Sequence, residues 1–404
     1  MTGTEQFCEQ IMQRMDLTKE TEDEELREII RDVLEEACRR EYIPLSEKIR
    51  ISRELFNAFR KLDILQDLIE DDTITEIMVN GTENIFYERE GRIFRSERRF
   101  LSESRLADVI QQIVGETNRY VNESSPIVDA RLKDGSRVNV VLKPAAVNGP
   151  ILTIRKFPKN AVTMEQLIRL GSLTEEAAAF LKMLVRAKYN IFISGGTGAG
   201  KTTFLNALSD YIPKEERIIT IEDNAELQIR GVENLVRLEA RDANLEGEGA
   251  VTIRDLIRSA LRMRPDRIIV GEVRGDETVD MISSAMLNGH SGSMSTGHAN
   301  NPDDMLRRLE TMMMMGIDLP LQAIQRQIAS ALDIIVHIGR LRDRSRRVMQ
   351  IAETDGTEEG RIRTRSLYVF REEGMEDEKI KGSLMKVNDL KAAEKLVAAG
   401  YHEK

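Results

Sequence analysis

"NIFISGGTGAGKTTFLNAL", residues 190–208, reads as a short strand, a glycine-rich loop and the opening of a helix. The loop fits G-x-x-x-x-G-K-[ST], with Gly195, Gly200, Lys201 and Thr202 in the fixed places. In such a loop the backbone N–H groups around Gly196, Thr197, Gly198 and Ala199 gather toward an anion, and the next helix adds the positive end of its dipole. Lys201 is placed to reach terminal phosphates and Thr202 to offer a hydroxyl to Mg²⁺, with Thr203 beside it in the first turn. The stretch therefore predicts a polyphosphate site, built where a strand feeds a helix.

The rest of the chain bounds what surrounds that site. At 404 residues it exceeds what one core usually organises, so two or three domains are expected. Hydrophobic residues make up 41% and charged residues 32%, with no Trp, which suits a soluble globular protein rich in surface charge. A net charge of −10 speaks against constitutive nucleic-acid binding, which needs a basic field. No apolar run approaches the roughly 18–20 residues that span a bilayer. The N-terminus lacks the basic and apolar regions of a secretory signal. Cys8 and Cys38 form no C-x-x-C, so neither a disulfide framework nor a zinc site is expected.

Along the chain, residues 1–60 carry 15 acidic and 10 basic side chains around Leu26, Ile29, Ile30, Val33 and Leu34. The spacing predicts amphipathic helix, read either as a solvated arm or as a docking surface. Residues 61–157 change texture. "ITEIMVNGTENIFYEREGRIF" gives strands punctuated at Asn80-Gly81 and Glu90-Gly91, a helix follows over 103–118, and "VDARLKDGSRVNVVL" gives a hairpin closed at Asp134-Gly135. Residues 158–165 read as a linker. From 166 to 404, helices alternate with "NIFIS", "RIITIED", "DRIIVGE", "SMSTGH" and "DIIVHIG", the rhythm of a mainly parallel sheet with helices on both faces. The end, "SLMKVNDLKAAEKLVAAG", reads as a C-terminal amphipathic helix.

Three strand ends offer chemistry beside the glycine loop. "RPDRIIVGEVRG" places Glu272 past a buried strand, at the end where open α/β sheets bind ligands. "RIITIEDNAEL" places Glu222, Asp223 and Glu226 at the same edge. In "NGHSGSMSTGHANNP", Thr296 and His298 are candidates to sense a terminal phosphate. The alternative is a histidine satisfied by a turn carbonyl, and His290 with His298 makes a poor metal pair. The helix "TIRDLIRSALRMR" sets Arg254, Arg258 and Arg262 on one face, read either as a solvated face or as an interface where a partner surface or a phosphate offsets the repulsion. "GRLRDRSRR", 339–347, reads as a solvated hairpin or a subunit contact.

Taken together, these blocks resemble the secretion-superfamily ATPases, specifically the CpaF/TadA branch that powers assembly of tight-adherence (Flp-type) pili. "GGTGAGKTT" is similar to the Walker A of that family, "IEDNAEL" to its Asp box, "MRPDRIIVGEVRG" to its Walker B and "NGHSGSMSTGHANNPDDMLRRLE" to its His box. "ITEIMVNG" and "SPIVDARLKDGSRVNVVLKPAAVNGPILTIRKF" resemble its N-terminal domain. The resemblance implies a RecA-like P-loop core preceded by an α+β N-terminal domain and a helical segment. It implies a homohexamer on the cytoplasmic face of the inner membrane, binding ATP and Mg²⁺ and working with a membrane platform protein. Residue by residue, it makes Lys201 and Thr202 the nucleotide and Mg²⁺ ligands, Glu226 and Glu272 the catalytic acids, and His298 a member of the His box. Arg131, Arg137 and Arg155 match positions expected to reach the phosphates, and Arg274 is a weaker candidate. Gly271-Glu272 replaces the more usual terminal Asp of a Walker B strand. A conjugative DNA pump on a similar core is the alternative reading. A non-hydrolysing nucleotide sensor is opposed by Glu272 and Glu226.

Overall fold

The computed structural model describes residues 3–15, 21–117, 119–157, 161–241, 243 and 248–401. The chain divides into two compact units, Met1–Lys159 and Asn160–Lys404. Pro158, Lys159 and Asn160 of the expected linker, and Asn118 at the end of an expected helix, lie outside the described residues.

The first unit opens with helices α1 (Gly3–Arg14), α2 (Asp23–Arg40) and α3 (Leu45–Arg60). Leu26, Ile30, Val33 and Leu34 form the apolar stripe of α2, and none is more than 1% exposed. They close on Ile11, Ile51, Leu55 and Phe56 in a small core of their own. The stripe is thus buried inside a local helical cluster, and the solvated arm is corrected.

Next come α4 (Gln66–Glu70) and strands β1 (Ile74–Asn80), β2 (Asn84–Arg89) and β3 (Arg92–Arg95), turning at the two glycine signals. Helix α5 (Glu103–Gly115) starts at Ser102, whose hydroxyl accepts from the Arg105 N–H, and it buries Leu106, Val109, Ile110, Ile113 and Val114. Strands β4 (Ile127–Arg131), β5 (Arg137–Val141) and β6 (Ile151–Arg155) complete a sheet of order β3-β2-β1-β6-β5-β4. All its pairings are antiparallel. Ala130, Val138 and Ile154 enter the core, so the two-residue period turns Arg131, Arg137 and Arg155 to the other face. Arg131 stands opposite Arg137 and Arg137 opposite Arg155, which makes one rung of guanidinium side chains.

The second unit begins with α6 (Met164–Arg169) and α7 (Glu175–Arg186), capped by Thr163 and Thr174. Then follow β7 (Ile191–Gly195), α8 (Lys201–Ser209), β8 (Ile218–Glu222), β9 (Leu235–Glu239) and α9 (Ile253–Ala260). Strand β10 (Arg267–Val270) leads through a π-helical stretch, Asp280–Met286, to β11 (Met294–Gly297). Helices α10 (Pro302–Gly316) and α11 (Leu321–Ala331) precede β12 (Ile334–Arg340). Long strands β13 (Arg346–Glu358) and β14 (Arg361–Glu376), then β15 (Lys379–Lys386) and the short α12 (Glu394–Ala398), end the described chain.

These strands form one sheet of order β15-β14-β13-β12-β7-β11-β10-β8-β9. From β12 to β9 every pairing is parallel, and from β12 to β15 every pairing is antiparallel. Alternation along β7 sends Ile191 and Ile193 to Leu181 and Leu184 of α7 and Phe204 and Leu205 of α8. Phe192 turns to the opposite core, with Ile257 of α9, Met305 and Leu309 of α10 and Ile324 and Ile328 of α11. This is the α/β, RecA-like core expected, with an antiparallel extension that the sequence reading did not separate. The expected C-terminal helix is corrected: Ser383–Lys386 finishes β15, because Leu384 pairs with Phe370 and is buried, and only Glu394–Ala398 coils.

Candidate functional site: the phosphate loop and three strand ends

Parallel strands β7, β11, β10 and β8 end on one edge of the sheet, and their loops converge there. The glycine loop joins β7 to α8. A Cβ on Gly195 would lie 2.5 Å from the Ile338 carbonyl oxygen of neighbouring β12, so the close approach admits no side chain. Gly200 caps α8 with φ at +94°, a left-handed backbone that a glycine adopts without strain. Lys201 starts the helix and is only 8% exposed. Its Nζ lies 3.3 Å from the Gly195 oxygen and 3.3 Å from the Gly196 oxygen. Thr202 and Thr203 sit half-buried in the same first turn.

The same ammonium lies 3.2 Å from Nδ1 of His298, at the end of β11. The ammonium is also 3.4 Å from Nε2 of His298, and that nitrogen lies 3.1 Å from Glu272 Oε1. An ionised Glu272 carboxylate can only accept, so the ring proton belongs on Nε2 and Nδ1 is left to accept from Lys201. Burial holds the His298 pKa below its ordinary value. The facing Glu272 carboxylate opposes that shift, and the Lys201 charge reinforces it. A neutral imidazole therefore links the loop lysine to the Walker B-like glutamate. Thr296, also proposed as a phosphate sensor, is corrected: its buried hydroxyl donates to the Gly271 oxygen at 2.8 Å and braces the turn before Glu272. The reading of a histidine satisfied by a turn carbonyl belongs to His290, whose Nδ1 is 3.0 Å from the Pro265 oxygen.

At the end of β8, the three acids part company. Glu222 turns inward, 4% exposed, and its Oε1 accepts the Glu226 and Leu227 N–H groups at 2.8 Å each. Burial pushes its pKa up to about 7, against the lowering effect of those two backbone donors. Glu222 thereby fixes the turn that carries Glu226, which stays half-buried beside it. Asp223 pairs with Arg274, so Arg274 links the β8 and β10 loops. Glu277, which the sequence reading passed over, accepts the Arg274 N–H at 2.6 Å and the Gly275 N–H at 2.9 Å, closing the loop after Glu272.

Two charge patterns gain partners in three dimensions, and "GRLRDRSRR" forms the exposed hairpin expected. Arg254 donates to Asp280 at 2.7 Å and to Asp276 at 2.5 Å, and Arg258 donates to Asp280 at 3.0 Å. The repulsion on α9 is offset inside the unit, and the helix ends at Ala260, before Arg262. Those aspartates follow Glu272 within the next turns, a placement visible only in three dimensions. Arg346, from the arginine-rich hairpin between β12 and β13, donates from Nε to the Gly198 oxygen of the glycine loop at 2.9 Å. The clustering of arginines was the available signal for it, and nothing in their spacing gave the target. Arg131, Arg137 and Arg155 stand together on their rung in the first unit.

The description "Type II/IV secretion system protein" matches residues 59–389 of this chain. A putative conjugal transfer protein of Mycobacterium tuberculosis is 36% identical over 321 residues, 78% of this chain and 90% of that protein. The type IV secretion system protein PtlH of Bordetella pertussis is 33% identical over 321 residues, 73% of this chain and 94% of that protein. Among solved structures, the ATPase DotB of Yersinia pseudotuberculosis superposes with a TM-score of 0.54 at 17% identity, covering 72% of this chain and 78% of DotB, a likeness of fold. With its glycine loop, acid-bearing strand ends and histidine link, the chain belongs to the family of type II/IV secretion system proteins.

Proposed function

We propose that this chain is an ATP-hydrolysing motor subunit of the CpaF/TadA type, working as a homohexamer to assemble Flp-type pili or drive protein secretion. The observation that carries the reading is the link Lys201–His298–Glu272 across the ends of β7, β11 and β10. Lys201 exchanges its two loop carbonyls for β- and γ-phosphate oxygens. Glu272 orients a water in line with the γ-phosphorus and takes its proton as the bond to the β-phosphate oxygen breaks. His298, neutral and donating from Nε2, holds that carboxylate in place. Glu226 is the second acid of the site, kept in position by Glu222. Arg131, Arg137 and Arg155 supply planar guanidinium charge to the transferred phosphoryl group.

The Thr202 hydroxyl is a hard oxygen donor, which is the chemistry Mg²⁺ accepts, and Thr202 would hold the ion beside the bound phosphates. When bound, the ion would supply positive charge against the phosphates. Among the described residues no helix is long and apolar enough to cross a membrane. As the family resemblance implies, attachment to the inner face of the cytoplasmic membrane runs through a platform protein in this reading. The conjugal-transfer description of a relative keeps a DNA-transfer pump as the second reading.

Phosphate release from Mg-ATP, followed over protein concentration with and without single-stranded DNA, tests both readings. Turnover per subunit should rise as rings assemble and ignore DNA. Glu272→Gln should still bind Mg-ATP while turnover falls roughly 10²–10⁴-fold. Wild-type turnover in that variant removes Glu272 from the chemistry, and strong stimulation by DNA favours the pump.

A further inference from the structure

The arginines of the β12–β13 hairpin divide into two groups. Arg342 pairs with Glu372 at 2.8 Å. Arg347 donates to the Gly171 and Ile380 oxygens at 3.0 and 2.9 Å, with its guanidinium 5.4 Å from the Phe370 ring centre. Asp343 closes the turn by accepting from the Ser345 N–H at 3.0 Å and hydroxyl at 2.6 Å, and from the Ile380 N–H at 2.8 Å. The hairpin is therefore braced on β14 and β15.

Arg346 and Arg340 turn to the opposite side. Beyond its bond to the Gly198 oxygen, Arg346 places Cδ 3.3 Å from where a Cβ on Gly200 would stand. Nη1 of Arg340 comes 3.9 Å from the equivalent point on Gly198. On the same flank, Ile338 of β12 runs beside Gly195. The glycine loop is thus held by the backbone of β12 at its start and by the Arg346 guanidinium further on, with Arg340 alongside.

We infer that Arg346, with Arg340 beside it, positions the phosphate loop for a nucleoside di- or triphosphate, recognised through its phosphates. The inference rests on the nucleotide reading of the loop given above. The physical argument is preorganisation. A loop with glycine at 195, 196, 198 and 200 has little preference of its own for one conformation, so binding must order it unless something else already does. A cationic donor on the Gly198 carbonyl fixes the peptide plane between Gly198 and Ala199, whose other end is held only by a long 3.3 Å bond from the Ala199 N–H to the Gly196 oxygen. The same side chains place positive charge beside the loop that must accept polyphosphate. Because the hairpin is the start of β13, this grip also joins the antiparallel extension to the nucleotide site.

The test is ADP affinity by titration calorimetry, with KM and kcat for Mg-ATP, in the wild type, Arg346→Ala, Arg346→Lys and Lys201→Ala. Arg346 is exposed, so the thermal midpoint of Arg346→Ala should match the wild type. ADP affinity should fall about tenfold and KM rise by a similar factor, with a smaller loss in kcat. Arg346→Lys, which keeps a cationic donor, should recover most of the affinity. A purely structural role would not give a KM effect that a lysine rescues. ADP binding by Arg346→Ala within about twofold of wild type overturns the inference while leaving the nucleotide reading intact. A folded wild type that binds no ADP, or binds it no better than Lys201→Ala, overturns both. A variant that assembles poorly but binds ADP normally assigns the hairpin to a subunit contact instead.

Discussion

In the parallel half of the nine-stranded sheet, β7, β8, β10 and β11 bury every residue, whereas β13, β14 and β15 mix buried with exposed positions. Both halves carry charges, but on different terms. In the parallel half the charged groups at the strand ends are buried and held by specific partners. Arg267, fully buried at the start of β10, donates to both Glu216 oxygens at 2.6 and 3.0 Å and to the Val185 oxygen at 2.7 Å. The antiparallel half buries Glu353 of β13 on the Lys391 and Ala392 N–H groups but pairs most of its charges in water, as Arg342 does with Glu372, their side chains 57% and 35% exposed. Charge in the first region is part of the packing, and in the second it is mostly surface.

The strongest way to break that contrast is Arg267→Ala. It would leave the Glu216 carboxylate buried, with Lys188 at 3.6 Å as its remaining ionic neighbour. Unfolding of the second unit in urea should show a loss of about 3–5 kcal/mol. Replacing the pair together, Arg267→Met with Glu216→Leu, should cost far less, because no buried charge is stranded. A loss below about 1 kcal/mol for the single variant would show that water reaches this pair, and the two halves would no longer differ in kind.

A smaller effect is expected at Glu222, where the partners of a buried carboxyl are complete on one oxygen only. Its Oε1 takes two backbone N–H groups, while Oε2 is buried without a hydrogen-bond partner. Its pKa stands raised from 4.5 to about 7, so the folded state holds a proton there that the unfolded state releases. The stability this lends is full below the unfolded value and is lost as pH rises toward the folded one. Glu222→Gln keeps an oxygen for both N–H groups and cannot ionise. Between pH 4.5 and pH 8 the wild type should therefore lose on the order of 2–3 kcal/mol relative to the variant, read from paired urea curves. Parallel pH profiles would mean that Glu222 is solvated, and the turn carrying Glu226 would need another explanation.

The same contrast explains what the sequence disclosed. Strands buried on both faces appear as unbroken apolar runs, so "NIFIS", "RIITI" and "RIIVG" were legible, and the glycines and acids at their ends pointed to the site edge. Strand β14, "RIRTRSLYVFREEGME", alternates charge with apolar residues and reads as solvent-facing chain until its neighbours are known. "SLMKVNDLKAAEKLVAAG" reads locally as helix, yet its first four residues, 383–386, are held as strand by β14. Local propensity also could not show that Thr296 is spent on Gly271, or that Asp276 and Asp280 answer the arginines of α9. Those assignments depend on contacts across loops. Arg346 is the sharpest instance, because its neighbours in sequence face the meander while it faces the glycine loop.

Arg342→Ala is the smallest perturbation and completes the comparison. The Arg342–Glu372 pair is exposed, so solvent screening and the entropy of two long side chains offset most of its attraction. The thermal midpoint and its response to salt should be indistinguishable from wild type. ADP affinity should also be unchanged, because the guanidinium of Arg342 is directed to β14 rather than to the loop. Arg346 is exposed as well, four residues away in the same turn, and both substitutions remove one positive charge from it. If charge alone mattered, the two variants would weaken ADP equally. A difference confined to Arg346→Ala instead locates the effect in the contact with Gly198, which separates positioning of the loop from a general electrostatic field around it.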